Sequence, residues 1–403
     1  MKREMKPKGM NEKYQMKGMN GMKNRTKLFT LAAATMMLAG CERNPILHLD
    51  YNGTIETELP IVELELDVFW DYTTEVGGQY SWKDEWYYGW DDQDISLFGE
   101  IGYTKPTSFQ IRRYYTGSVA YNEHTSVQSD LINGYKYSAP FDWGFWDLLV
   151  WNEVTTLDGV QSLRFDEQST LEYVTAYTGQ TMNSARYQAP KYTRSFYQPE
   201  ALFSAYSQAL EINKNLDGFV YDESRNVWVR QLDMLLYPMT YIYLTQVIIH
   251  HNNGKITGVD GNANLSGMAR AVNVNTGVTG NDPVTVHYYV RFKTGCDMKG
   301  ESVDIAGGRL LTFGMCNLNS SRATDADGDE IRHYMDVDMQ FNNGMDSTFV
   351  FDVTDQVRKR YKGGVLTIEL DADTIKMPRR KGGSGFDAVV KDFEDGGTHE
   401  FEM

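Results

Sequence analysis

The strict alternation over Val62–Val68 constrains this chain most: Val62, Leu64, Leu66 and Val68 share one side, while Glu63, Glu65 and Asp67 share the other. A period of two sends successive side chains to opposite faces, so the run specifies a strand with one buried and one wet face. Further β-rich runs fall at Phe109–Thr116, Phe145–Trp151, Leu171–Tyr177, Val227–Leu236, Tyr241–His250, Thr285–Phe292, Arg309–Phe313, His333–Phe341, Thr348–Val353 and Val365–Leu370. Turn dipeptides separate them: Asn133-Gly134, Asp158-Gly159, Asn253-Gly254, Asp260-Gly261, Asp327-Gly328 and Asn343-Gly344. Many short strands with this punctuation indicate all-β sandwiches or barrels. Helical periodicity is confined to Pro199–Ala209 and Thr354–Tyr361.

Composition divides the chain. All eight tryptophans lie at or before Trp228, whereas Cys296 and Cys316 lie after it. The polar stretch Thr181–Pro199 has no strong strand pattern and reads as a long loop. The expected organisation is a leader over 1–40, one domain over 41–225 and a second over 226–403, with the boundary near Asp222–Asn226. The two cysteines each follow a predicted strand, and the sequence accommodates either a disulfide or two separate buried thiols.

The leader reads as a bacterial lipoprotein export signal. Lys23, Arg25 and Lys27 precede an apolar stretch from Leu28 to Leu38, then Leu38-Ala39-Gly40-Cys41. Small residues before a cysteine form a lipobox: cleavage follows Gly40, and Cys41 becomes an acylated N-terminus. The apolar stretch is too short for a permanent membrane span. Residues 1–21 lack an apolar core, and Met22 would begin a signal of ordinary length. About 360 residues remain after cleavage, enough for two domains with sizeable cores. Because residues 1–40 hold nine Lys and Arg against two Glu, their removal takes the net charge from −16 to −23. A body this acidic argues against nucleic acid or an anionic lipid surface as a direct partner. Attachment to a membrane would then come from acyl chains.

Motifs for chemistry are sparse. The sequence contains no G-x-S-x-G elbow, H-E-x-x-H helix, Walker loop or C-x-x-C pair. A paired-carboxylate hydrolase has only the abundance of acids in its favour. Asp325, Asp327 and Asp329 alternate in a turn and are the best Ca²⁺ candidates, although the glycine spacing does not match an EF-hand. A solvated hairpin without metal explains the same residues through backbone preference alone. Trp82, Trp86 and Trp90, with Tyr87 and Tyr88, recur at a spacing that shares one face in a strand or a helix. Exposed, these indoles would make a platform for glycan; buried, they would pack a core or a domain junction, which is the commoner fate of aromatic rings.

Several stretches together carry a family resemblance. Glu63–Trp70, Trp82-Lys83-Asp84-Glu85-Trp86 and Ile101–Pro106 resemble the opening of an uncharacterised lipoprotein family of the Bacteroidetes. Tyr237–Tyr243 and Leu265–Ala269 look like the start of the second domain in fimbrillin-like anchor proteins. Phe351–Val357 and the segment from Gly385 are similar to that superfamily's closing strands. The resemblance implies two transthyretin-like β-sandwich domains in tandem and a non-enzymatic role at the outer membrane, as a fimbrial anchor or minor subunit. It implies other fimbrial subunits as partners, joined by strand-mediated contacts. Glu42-Arg43-Asn44 departs from the acidic surface-export tag of such proteins, leaving the side of the membrane open. No single arginine stands out as a maturation site, which fits a retained anchor. The rival reading is a carbohydrate-binding lipoprotein of a glycan-uptake system, with Trp82, Trp86 and Trp90 as its platform.

Cys41→Ser is expected to abolish acylation and move the protein out of the membrane fraction. Fatty-acid labelling and detergent partitioning check this, and an unchanged label in the serine variant would refute the lipobox.

Overall fold

The computed structural model describes residues 59–401, apart from 70–73, 76–77, 80–81, 117–123, 155–160, 167–170, 172–173, 182–191, 318–323, 326 and 380–397. Gly40, Cys41 and Phe386–Val390 lie outside the described residues. The chain opens with β1 (Ile61–Val68), a small hairpin of β2 (Thr74–Glu75) and β3 (Gly78–Gln79), then helices α1 (Trp82–Glu85) and α2 (Asp92–Phe98). There follow β4 (Ser108–Tyr115), β5 (Ser126–Asn133), β6 (Lys136–Pro140), β7 (Gly144–Asn152), β8 (Leu163–Asp166), β9 (Thr175–Thr178) and β10 (Ser195–Tyr197). Next come β11 (Phe203–Ile212), β12 (Val220–Asp222), β13 (Val227–Pro238), β14 (Tyr241–His250), β15 (Ile256–Ala269) and β16 (Ala271–Asn273). The last elements are β17 (Pro283–Met298), β18 (Glu301–Thr312), β19 (Tyr334–Phe341), β20 (Asp346–Asp352), α3 (Thr354–Lys359), β21 (Gly364–Asp371) and β22 (Thr398–Phe401).

The fold is all-β and is built from two large sheets. One runs β5-β4-β7-β11-β13-β1-β6 with β12 beside β13; the other runs β21-β14-β18-β17-β15-β19-β20-β22 with β10 beside β17. In each, a long strand is shared between two faces. β13 pairs with β1 along Val229–Leu236 and with β11 at Tyr237 and Pro238. β17 pairs with β15 up to Tyr289 and with β18 from Val290 onward. The sheets therefore curl into sandwich-like barrels, each around its own core. Val62, Leu64, Leu66 and Val68 enter the first core beside Phe109, Trp146, Leu148 and Phe203, as their alternation requires. Tyr243, Leu265, Tyr288, Leu310, Phe349 and Phe351 fill the second. A third cluster joins Leu149, Trp151, Val174 and Leu202 to Val272, Val274, Phe313 and Cys316.

Four local expectations need correction. Pro199–Ala209 is not a helix, because Phe203–Ile212 forms β11 with Phe203 fully buried. Its period of two is broken by a bulge between Ser207 and Leu210, where Ala209 takes φ 55°. Thr181–Pro199 contains β10, which pairs in parallel with β17. The boundary expected near residue 225 falls between β12 and β13, which pair with each other. The chain passes to the second sheet only between Pro238 and Tyr241. Cys296 and Cys316 are separate thiols rather than a disulfide. Cys296 packs beside the Trp82 cluster and Cys316 lies in the joining cluster, so different cores hold them apart. The Thr354–Tyr361 helix is present as α3.

The segment after β1 leaves the first sheet and covers the outer face of the second. Trp82, Trp86 and Tyr88 pack against Ile242, Leu244 and Ile248 of β14, Val303 and Ile305 of β18, and Val365 of β21. The backbone is fastened too: Tyr87 N–H donates to Gln246 Oε1 at 3.0 Å, and Gln246 Nε2 donates to Glu85 O at 2.6 Å. Arg309 donates to the carbonyls of Ile101 and Gly102 at 2.9 and 3.0 Å. Asp94 is fully buried and accepts from Tyr88 Oη at 2.8 Å, Arg291 at 2.8 Å and Lys293 at 2.5 Å. The same carboxylate closes a capping box with Asp91 at the start of α2. Gly307 makes room for the phenol, because a Cβ there would lie 2.5 Å from Tyr88 Cδ2.

Asp94→Ala leaves two cations facing a buried site, so a loss of about 3–5 kcal/mol is expected in denaturant unfolding. Gly307→Ala should cost roughly 1–3 kcal/mol by displacing Tyr88. Unchanged midpoints for both variants would show that this segment does not hold the second sheet.

Candidate functional site

A sheet edge exposes unpaired N–H and C=O groups, so its treatment shows where another chain can add. The four end strands of the two large sheets are treated differently. At β21 the side chain of Gln356, on α3, takes the place of a neighbouring strand: it donates to Thr367 O and accepts from Thr367 N–H, both at 2.9 Å. Arg360 caps the same strand at Val365 O. That edge is closed along Val365–Thr367. β6 is short and ends at Pro140, which suits an edge that admits no neighbour.

The edge at β5 is open. β5 pairs along all eight residues with β4, and no other strand among the described residues pairs with it. Leu131 is 60% exposed and Val127 is 37% exposed, an unusual display of apolar side chains along an edge. Its inner side is held rigid. Arg113, buried under β5, donates to Asp130 Oδ2 and Pro140 O at 3.0 Å each and stacks over Phe141. Tyr137 Oη also donates to Asp130.

At the far edge of the second sheet lies β22, four residues in parallel register with β20 from Thr348↔Thr398 to Phe351↔Phe401. β20 itself pairs with β19 over seven residues, from Asp346 to Asp352. Among the described residues, the outer side of β20 is thus longer than the strand that covers it. This edge is occupied by a segment joined to the body through residues 372–397.

The residues singled out for chemistry are placed elsewhere. Trp82 and Trp86 are only 7% and 8% exposed, and Trp90 is half-buried with its indole N–H donated to Gly99 O at 3.1 Å. The three indoles therefore belong to packing and do not form an open platform. Exposed aromatic pairs among the described residues are Tyr221 with Trp228, centroids 5.2 Å apart on β12 and β13, and Phe69 with Tyr237 at 5.8 Å, neither of which spacing alone singled out. Asp325 serves its own turn, accepting from the N–H groups of Asp327 at 3.1 Å and Asp329 at 3.0 Å. Its other oxygen accepts from Tyr192 Oη at 3.3 Å. Asp325, Asp327 and Asp329 are not gathered around one point; among the described residues His251, Asp371 and Asp373 are, all exposed. Burial raises the thiol pKa of Cys296 and pushes that of Cys316 up to about 12.

Two buried titratable groups lie between β15 and β19. Burial pushes the Asp336 carboxyl up to about 7, against a bond from Asn264 Nδ2 at 2.6 Å that favours its anion. Burial brings His333 down to about 4, with Nδ1 3.2 Å from Ser266 O. The capping box of α2 carried a local signal, Asp91-x-x-Asp94, that was not singled out from the sequence.

No family model and no curated protein matches this chain. Solved structures do resemble it. A candidate adhesin from Bacteroides ovatus superposes with a TM-score of 0.44 at 17% identity, over 84% of this chain and 98% of its own. The fimbrial anchor protein Mfa2 from Porphyromonas gingivalis gives 0.37 at 9% identity, over 77% and 90%. A candidate polysaccharide-binding protein from Bacteroides thetaiotaomicron gives 0.37 at 7% identity, over 77% and 90%. Superpositions at these scores bear on neither the activity nor the partners of this chain.

Asp336 has a folded pKa of about 7 against an ordinary 3.8, so its contribution to stability is full below pH 3.8 and is lost as pH rises towards 7. Asp336→Asn is therefore expected to raise Tm at pH 8 relative to the native chain, with the gain vanishing by pH 4. Melting curves from pH 4 to pH 8 check this, and a pH-independent difference would contradict a protonated Asp336.

Proposed function

We propose that this chain is a lipid-tethered, non-enzymatic anchor or accessory subunit of a fimbria-like fibre, joined to its neighbours by strand addition at sheet edges. The observation that carries the reading is the asymmetry of the edges. One edge of the second sheet is sealed by α3, while the other is occupied by the four-residue β22 on the longer β20. The first sheet adds an open edge at β5. Strand addition needs such a row of backbone donors and acceptors, unpaired or covered by a displaceable segment.

Attachment follows from Cys41. No helix among the described residues is long and apolar enough to cross a membrane, and acylation of Cys41 supplies a tether. Anchoring by more than one acyl chain places the body at the outer membrane with its sheet edges free to meet a neighbour. The identity of the neighbouring subunit is set by side chains along its incoming strand, which would lie against Phe349 and Phe351 on one edge or Leu131 on the other.

Deleting Thr398–Phe401 is expected to leave a folded, lipidated protein that no longer retains fibres on the cell. Intact melting behaviour with fibres shed into the medium is the supporting result, measured by electron microscopy and quantitation of released subunits. Normal retention by the truncated protein would exclude β22 and the edge it covers from the connection.

A further inference from the structure

The strip between the two large sheets carries an unusual concentration of positive charge. β8, β9 and β16 form a small sheet in which Arg164 sits opposite Tyr177, and Tyr177 opposite Ala271. With Gly179, Gln180, Arg194, Phe196 and Arg270 they border an open cavity of about 540 Å³. That size lies in the range of small-molecule sites. Three guanidinium groups around one cavity are unexpected in a chain of net charge −16. Among the described residues only Asp282 offsets them, pairing with Arg194 and lying 3.7 Å from Arg270. Arg164 pairs with no carboxylate among the described residues, so the cavity retains a positive excess.

The guanidinium groups are held in place. Arg270 lies over Phe196 at 5.2 Å and over Tyr177 at 5.8 Å, and Arg194 lies over Phe196 at 5.8 Å. Phe196 is 2% exposed and is braced by β17 through β10. Such stacking fixes the planes of the two forks and lowers the entropy lost when they engage an anion. Arg270 Nε is buried without a hydrogen-bond partner among the described residues, a donor that a bound anion would satisfy.

We infer that this cavity binds a saccharide bearing an oxyanion, a carboxylate or a sulfate. Planar guanidinium forks match such groups in bidentate geometry. The remaining lining of Thr178, Gln180 and Tyr177 supplies hydroxyl and amide groups suited to sugar hydroxyls. The faces of Phe196 and Tyr177 are already taken by guanidinium groups, which leaves no free ring for a nucleobase to stack upon. Recognition is therefore by polar edge, the mode that a polyhydroxylated acid offers. This site is independent of the sheet edges and of the lipid tether.

Titration calorimetry of the purified chain with galacturonate, galactose 6-sulfate and galactose separates the outcomes. Saturable binding of galacturonate or of the sulfate ester, at least tenfold tighter than galactose, is expected and shows which oxyanion is read. Arg164→Gln, at an exposed strand position, should leave the melting temperature unchanged and weaken that binding at least tenfold. Arg194→Gln serves as the second variant, and raising salt from 0.05 to 0.5 M should weaken binding in the native chain. No saturable heat with either acid, equal affinity for galactose, or an unaffected Arg164→Gln chain would overturn the site.

Discussion

A buried carboxylate with two cationic partners holds the architecture together. Asp94 lies in a site that excludes water, and Lys293 and Arg291 reach it from β17 while Asp91 balances their charge. Two acids and two bases make the quartet neutral, which offsets much of the cost of desolvating each member. The consequence is topological. The segment from Trp82 to Tyr103 lies in sequence between β1 and β4 of the first sheet, yet its side chains seal the outer face of the second. Neither sheet can swing away without tearing that segment loose. Residues 59–403 therefore form one compact unit even though each sheet surrounds its own core.

What the sequence disclosed tracks how local each cause is. β14 was legible over its full length because Tyr241–His250 is rich in β-branched and aromatic residues, with polar positions only at Thr245, Gln246 and the closing His250, and is buried on both sides. β1 was legible because one of its faces is wet. β15 escaped notice: it is rich in Gly and Asn and shifts register against β19 twice. Its pairing is dictated by neighbours distant in sequence, not by its own pattern. β11 imitated a helix because a left-handed Ala209 interrupts the alternation that would have revealed a strand. Likewise, the spacing of Trp82, Trp86 and Trp90 disclosed a shared face but not what would cover it. That cover comes from β14, β18 and β21, more than 150 residues away.

The candidate sites were hidden for the same reason. Arg164, Arg194 and Arg270 are far apart in the sequence, and each looks like an ordinary surface arginine until β8, β9, β10 and β16 bring them together. Asp325, by contrast, was conspicuous within its Asp-rich turn and proved to be spent on backbone N–H groups. Clustered acids in a turn advertise themselves locally whether or not they bind anything. Dispersed cations that converge through long-range pairing do not.

Under the proposed fibre role, the sheet edges need protection from indiscriminate pairing, and the two ends of the second sheet are protected differently. Sealing β21 with the Gln356 amide removes one route to indiscriminate pairing at the cost of a single side chain. β22 blunts the opposite edge along Thr348–Phe351, and no strand among the described residues pairs with Asp346, Ser347 or Asp352 of β20 on that side. Each backbone hydrogen bond contributes about 0.5–1.5 kcal/mol net, so a four-residue strand is held by no more than a few kcal/mol. An incoming strand that pairs along the whole of β20 gains bonds that β22 does not make. Because β22 is joined to the body by the chain itself, it reoccupies the edge whenever no longer competitor is present. Partial cover of this kind guards the edge against weak encounters and yields to a well-matched strand.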